Sequence, residues 1–108
     1  MTAKPVIPGL AALAEADAAI DYYLAEAGPG IALSFIAALE SAYRFIGENP
    51  AAGSPGWADK LGLPGLRSWN LKKFPWIVFY VERSSHIDVA RLLHDKRDIP
   101  ATLQQSQD

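Results

Sequence analysis

Two histidines and a group of cations are the residues of this 108-residue chain whose types suit chemistry. His86 and His94 are eight positions apart, and no further ligands stand at a spacing typical of a metal site. The chain has no cysteine, which excludes disulfides and thiolate metal sites. A glycine-rich phosphate loop, a Gly-x-Ser-x-Gly elbow and a His-Glu-x-x-His pair are also absent from the sequence. We therefore expect no catalytic residue, no metal site and no cofactor.

The cations are concentrated in the second part of the chain. Positions 66–97 hold seven Lys and Arg against three Asp and Glu, a net charge of +4, whereas positions 1–65 have a net charge of −4. Cations on one sheet surface add their fields, so they suit an anionic partner. The other interpretation is that strand-borne Lys and Arg solvate the sheet edges and oppose aggregation. The residues expected to bind a partner are Arg67, Trp69, Lys72, Lys73, Arg91, His94 and Arg97. Two of them have another interpretation. Trp69 also fits a role in packing, and His94 also fits a partly buried side chain held by Asp95 or a backbone group.

Three strands are predicted to carry these side chains. The β-branched and aromatic run Trp76 to Val81 lies between two half-apolar segments, which is typical of consecutive antiparallel strands. It is apolar at every position, so we expect a central strand covered on both faces, by helices on one and by a partial cover on the other. The third strand loses its alternation at 91–93, which favours a bulge there.

Two helices are predicted before the sheet. The first begins near Leu10, carries an apolar stripe of Leu13, Ile20 and Leu24 and ends at positions 28–30. Glu15, Asp17 and Asp21 are expected on its other, solvent-facing side. The second runs from about position 31 to 47 or 48 with a stripe of Phe35, Leu39, Ala42 and Ile46, and the Asn49-Pro50 step ends it. A connection follows, with one helical turn predicted at positions 57–61, and positions 98–101 favour a last helix start.

Together these elements predict one α+β domain over residues 1–108. A short N-terminal strand precedes an antiparallel helical hairpin, which packs on a mainly antiparallel sheet of three to four strands. The C-terminal tail is expected to fray from about residue 104. No apolar run approaches the roughly 20 residues that cross a bilayer, and the start lacks the apolar core of a secretory signal. We therefore expect a cytoplasmic protein without membrane contact.

The order of these elements and five short segments resemble the RelE/ParE superfamily of toxin–antitoxin toxins, and the ParE branch most closely. The segments span nearly the whole chain, from A-E-A-D-A-A-I-D-Y-Y near the start, through N-P-A-A-G, L-R-S-W and F-P-W-I-V-F-Y, to R-L-L-H-D-K-R-D. The resemblance implies a small bacterial toxin held inactive by an antitoxin encoded beside it. The implied partner is a ParD-like antitoxin in a hetero-oligomer, for which a heterotetramer is one arrangement, and no direct sequence-specific DNA binding is expected.

The resemblance also offers two modes of action. ParE-type members poison DNA gyrase, whereas RelE-type members cut messenger RNA on the ribosome. Ribonuclease members typically place an arginine on the central strand, where this chain has Trp76-Ile77, and a tyrosine or histidine near the C-terminus, where only His94 is near. We therefore expect a protein-binding toxin that acts on gyrase. A RelE-like ribosome-dependent endonuclease and a non-toxic member that binds only its antitoxin are the alternatives.

Overall fold

A computed structural model describes residues 3–105 and shows an α+β fold. Its elements, in chain order, are β1 (Val6–Pro8), α1 (Leu10–Ala27), α2 (Pro29–Glu48), a 3-10 turn (Pro50–Ala52), α3 (Gly56–Leu61), β2 (Leu66–Asn70), β3 (Trp76–Glu82), β4 (Ile87–His94) and α4 (Ile99–Gln105). The predicted strand–hairpin–three-strand order is confirmed, and so are the short helices at 56–61 and after position 98. Of the tail predicted to fray from about residue 104, positions 104 and 105 are the last residues of α4, and positions 106–108 lie outside the described residues.

The four strands form one mixed sheet in the order β1-β4-β3-β2. Strands β2, β3 and β4 are antiparallel, and β1 pairs in parallel with the first half of β4. Pro5 precedes β1 and Pro8 is its last residue. Proline lacks the N–H that an inner strand must donate, which suits an edge position. On the opposite edge, Ser54 forms an antiparallel bridge with Ser68 of β2.

Strand β3 is covered on both faces, as its uninterrupted apolar sequence predicts. Val78 and Tyr80 are fully buried in the layer between the sheet and the helical hairpin. Ile77 and Phe79 face the opposite layer, where α3 and α4 supply the partial cover, the latter through Ile99. The two faces of one short strand therefore organise two separate cores.

Helix α2 uses the predicted stripe to cover the sheet. Phe35, Leu39, Ala42 and Ile46 are all buried. Helix α2 is also long and apolar enough to cross a membrane by length and composition alone. A core helix passes the same test, and this buried stripe is how α2 packs on the sheet.

Helix α1 packs through a different face from the predicted one. Leu13 and Leu24 are 46% and 49% exposed, whereas Ala12 and Ala19 are buried. The two leucines of the predicted stripe are therefore wrong as core positions, whereas its third member, Ile20, packs against the core. A face of alanines lets the helix axis approach β4 closely, and larger side chains there would hold it away. The same rotation turns Glu15 inward, although the sequence pattern places it on the solvent side.

Two boundaries differ from the prediction by one or two residues. Helix α2 begins at Pro29, so the hairpin link is Gly28 alone, whose φ of 90° suits glycine. Proline at the first helical position needs no N–H partner, which explains the early start. The bulge in β4 falls at Ala90, because Phe79 pairs with Arg91 while the next β3 residue pairs with Val89.

Candidate functional site

A groove of about 910 Å³ runs between α2 and the part of the sheet formed by β2 and the β2–β3 turn. The α2 wall is a stripe at spacings of three and four residues: Ile31, Ser34, Ala38, Ser41 and Phe45. This stripe lies beside the buried one on the same helix. Small side chains occupy its middle and large apolar ones its ends, so the helix backbone is open to close approach along about four turns.

Aromatic contacts fix the two ends of the groove. At one end Phe45 of α2 stacks on Trp69 of β2, with ring centroids 4.7 Å apart and planes at 25°. At the other end Phe74, in the β2–β3 turn, packs edge-on against Phe35 at 5.4 Å and against Tyr23 of α1 at 5.3 Å. The groove walls are therefore held by packed rings, and its shape exists before any partner binds.

The β2–β3 turn places two cations on the groove. The amide of Leu71 donates to the carbonyl of Trp76 at 2.9 Å and closes the turn. Lys72 and Lys73 both line the groove and are exposed. In the described part of the chain they are the only charged residues among those that line it. Lys73 has a φ of 69°, the left-handed conformation that lysine rarely adopts.

Trp76 connects the Phe74 end of the groove to α1 and to β4. Its indole Nε1–H donates to the hydroxyl of Tyr23 at 3.0 Å, which joins the start of β3 to α1. Its ring meets the imidazole of His94 edge-on, with centroids 5.3 Å apart. The backbone amide of Lys96 donates to Nδ1 of the same imidazole at 3.1 Å. A backbone group therefore fixes His94, as one of the two interpretations of the sequence predicts.

Arg67 lies near the start of β2, and its side chain holds the loop at positions 50–53. Its Nη1 donates to the carbonyls of Gly53 and Ala51, at 2.8 and 3.2 Å. The buried hydroxyl of Tyr80 accepts the amide of Gly53 at 2.9 Å and donates to the carbonyl of Pro50 at 2.8 Å. Burial raises the pKa of Tyr80, and the bond from Gly53 offsets part of that rise. These bonds fix the segment that enters the β2 edge.

Arg91 forms an ion pair between three elements. Its guanidinium contacts the carboxylate of Glu15 in α1, with the closest N–O distance 2.6 Å, and the two side chains are 16% and 15% exposed. Its Nη1 also donates to the carbonyl of Thr102 in α4 at 3.5 Å. Glu15 Oε1 accepts the amide of Leu92 at 3.0 Å, on the β4 edge that β1 leaves uncovered. The pair thus closes a sheet edge and joins α1, β4 and α4.

The seven predicted binding residues do not meet on one surface. Trp69, Lys72 and Lys73 line the groove together. Arg67 holds the loop at positions 50–53, and Arg91 is paired with Glu15. His94 and the exposed Arg97 lie at and beyond the end of β4. The α2 wall of the groove was not predicted from the sequence, because serine and alanine give no strong signal for a binding surface. Their three- and four-residue spacing is nevertheless a recognisable helical stripe.

The lining of the groove has the chemistry of a binding surface. Its lining supplies apolar surface, two serine hydroxyls and two ammonium groups, a set that suits an apolar partner with negative charge at one end. No carboxylate or imidazole lines it to serve as general base in the described part of the chain. Nor do residues 3–105 gather three His, Asp or Glu side chains as a metal site requires.

Comparisons with known proteins agree with this fold. A solved structure of the chromosomal ParDE toxin–antitoxin system from P. aeruginosa aligns with a TM-score of 0.70 at 22% sequence identity, over 84% of this chain and 95% of that one. At that identity the match shows a shared fold. A search of curated proteins found no match.

The family comparison covers most of the chain. Residues 7–99 match the family described as the ParE toxin of the type II toxin–antitoxin system parDE. That range includes the helical hairpin, all three antiparallel strands and both walls of the groove. The chain therefore belongs to the ParE toxin family of type II toxin–antitoxin systems.

Proposed function

We propose that this chain is a ParE-type toxin of the cytoplasm that poisons DNA gyrase, and that its antitoxin silences it by placing an amphipathic helix in the groove between α2 and β2. The observation that carries the antitoxin site is the groove itself. Ile31 and Phe45 are 43% and 39% exposed at its two ends, and large apolar side chains left in water favour a partner that covers them.

The form of the groove supports a helical partner. A wall of small residues such as Ala38 and Ser41 permits close helix–helix approach, and bulky apolar side chains of a partner would fit between the aromatic ends. An extended partner strand on the β2 edge is disfavoured near Ser68, because the backbone of Ser68 is already bonded to Ser54. The amide of Ser68 donates to the carbonyl of Ser54 at 3.0 Å, and its carbonyl accepts the amide of Ser54 at 2.9 Å. An extended continuation of the antitoxin would therefore lie beyond Asn70.

The proposed action on gyrase rests on family membership and on the chemistry of β3. Cleavage of RNA by its own 2′-hydroxyl needs groups that stabilise phosphorane charge and move protons. Ile77 stands at the position expected for a ribonuclease arginine, and it is buried beneath α3 and α4. Glu82 is the only charged residue of β3. These features favour a toxin that acts by protein contact.

The activity test compares two reactions of the purified toxin. We expect gyrase and supercoiled plasmid to accumulate cut DNA when the toxin is added, and prior addition of antitoxin to prevent it. We expect ribosome-bound messenger RNA to remain intact by primer extension. Codon-linked cuts that disappeared in Arg67→Ala and His94→Ala would replace the gyrase proposal with a ribonuclease.

The site test fills the groove. Ser41→Tyr puts a large ring in the middle of the α2 wall, and Glu40→Tyr puts the same ring one residue away, where no groove is lined. We expect the first variant to weaken antitoxin binding at least about tenfold, or 1.4 kcal/mol, and the second to bind normally. Equal affinities in calorimetry, with both variants folded, would place the antitoxin elsewhere.

A further inference from the structure

The charge of the groove is confined to one end. Lys72 and Lys73 belong to the turn that Phe74 anchors against Phe35, in the first half of α2. The opposite end is the stack of Phe45 on Trp69, near the last turn of α2. No carboxylate lines the groove in the described part of the chain to neutralise the lysines.

The direction of α2 relates this charge to the polarity of a bound helix. Helix α2 starts at Pro29, so its N-terminal, partially positive end lies at the lysine end of the groove. The C-terminal end of a helix carries free carbonyls and a partial negative charge. Both the lysines and the α2 dipole thus favour the C-terminal end of a partner helix at this position.

The backbone of Lys73 bears on the use of this turn, and not on the direction of a partner helix. A φ of 69° is unfavourable for a residue with a Cβ and natural for glycine or asparagine. Strain of this kind persists where the surroundings impose it, and it concentrates at sites of function. Here the strained residue presents an ammonium group to the groove.

We propose that the antitoxin helix lies antiparallel to α2, with its C-terminal turn and the acidic residues that follow it against Lys72 and Lys73. Its N-terminal turn then lies beside Phe45 and Trp69. This inference rests on the proposed antitoxin site and adds the direction of the chain within it.

Spin labels at the two ends of α2 test the direction. The chain has no cysteine, so Gly30→Cys and Glu48→Cys each give one attachment point. Both positions are exposed, and a Cβ at Gly30 meets no atom within 4 Å. Eighteen residues separate them, which is five full helical turns and roughly 27 Å, so the two labels stand on the same line along the helix.

The probe is the isotope-labelled polypeptide encoded by the reading frame beside the toxin gene, bound to each nitroxide-labelled toxin. We expect the label at position 30 to broaden amide signals from the C-terminal part of the bound helix, and the label at position 48 those from its N-terminal part. The reverse pattern would overturn the antiparallel arrangement and leave the groove as the antitoxin site. Binding without broadening from either label would overturn the groove as well, and an absence of binding would overturn the proposed partner.

Charge reversal provides a second measurement. Lys72→Glu with Lys73→Glu should slow association about tenfold at low salt and weaken its salt dependence, because steering by these cations would be lost. Lys96→Glu with Arg97→Glu makes the same change in net charge outside the groove. Equal slowing in the two double variants would show that overall charge, and not the lysine end of the groove, attracts the partner.

Discussion

The carboxylate of Glu15 in α1 contacts the guanidinium of Arg91 in β4 at 2.6 Å, and it also accepts the amide of Leu92 at 3.0 Å. One side chain thus neutralises a half-buried cation and satisfies a strand amide that β1 does not reach. Such a pair contributes most when both partners are present, because removal of either leaves the other charge desolvated and unpaired.

Replacement of Arg91 is therefore expected to act on the fold. Arg91→Ala should lower the free energy of unfolding by about 2 kcal/mol, at the lower side of values for buried pairs because these side chains retain some exposure. Arg97→Ala, at an exposed position, should change it by less than about 0.5 kcal/mol. Urea denaturation measures both. Equal stability of the two variants would show that the pair of Arg91 with Glu15 does not stabilise the fold.

Gly53 is expected to tolerate no side chain. A Cβ there would collide with the hydroxyl of Tyr80. We expect Gly53→Ala to lower the melting temperature clearly, with a loss of about 1 to 3 kcal/mol. Gly30→Ala, where a Cβ meets open space, should have no such effect and can stabilise α2 by up to about 1 kcal/mol.

A double variant separates the causes. Tyr80→Phe alone should cost about 1 to 3 kcal/mol, since it leaves the buried amide of Gly53 without an acceptor. In that background Gly53→Ala should be less harmful than in the native chain, because the hydroxyl oxygen, the atom closest to the new Cβ, has gone. The relief should be partial, since the ring carbons Cε1 and Cζ still stand 2.9 Å from that Cβ. Strict additivity of the two changes would contradict a clash with the hydroxyl.

Lys73 is expected to lower the stability of the free toxin and to speed its association with the antitoxin. Lys73→Gly removes the Cβ from a left-handed residue, so the free toxin should keep its stability or gain up to about 1 kcal/mol. Lys72→Gly removes the same charge from a residue without a positive φ, and should lose about 0.5 to 1 kcal/mol. Both variants should associate more slowly with the antitoxin. A Lys73→Gly toxin less stable than the native chain would contradict this interpretation of the turn.

Tyr43 is expected to make the fold sensitive to alkaline pH. Burial first, and the charge of Glu15 second, raise the pKa of Tyr43 from 10.0 to about 12. Between these values the unfolded chain loses the phenol proton while the folded chain keeps it, so stability falls as pH rises through that window. Tyr43→Phe should flatten this alkaline slope in urea titrations. Identical slopes in the two proteins would show that Tyr43 does not cause it.

Hydrophobic patterns predict the elements of this fold whose apolar residues can be buried in only one way. An apolar run such as Trp76 to Val81 must be buried on both faces, and the stripe from Phe35 to Ile46 has one helical face to bury. These patterns, with the proline and glycine boundaries, determine an α+β fold of a hairpin on a sheet. Family membership follows from the same order of segments.

Contacts between polar and small residues, in contrast, depend on how the elements pack against one another. Alanines carry almost no hydropathy signal, so only packing against β4 reveals that Ala12 and Ala19 form the buried face of α1. That rotation turns Glu15 toward Arg91 and removes this cation from the predicted basic surface. The groove likewise forms because α2 and β2 lie side by side. The periodicity within each segment carries no information about the distance between them.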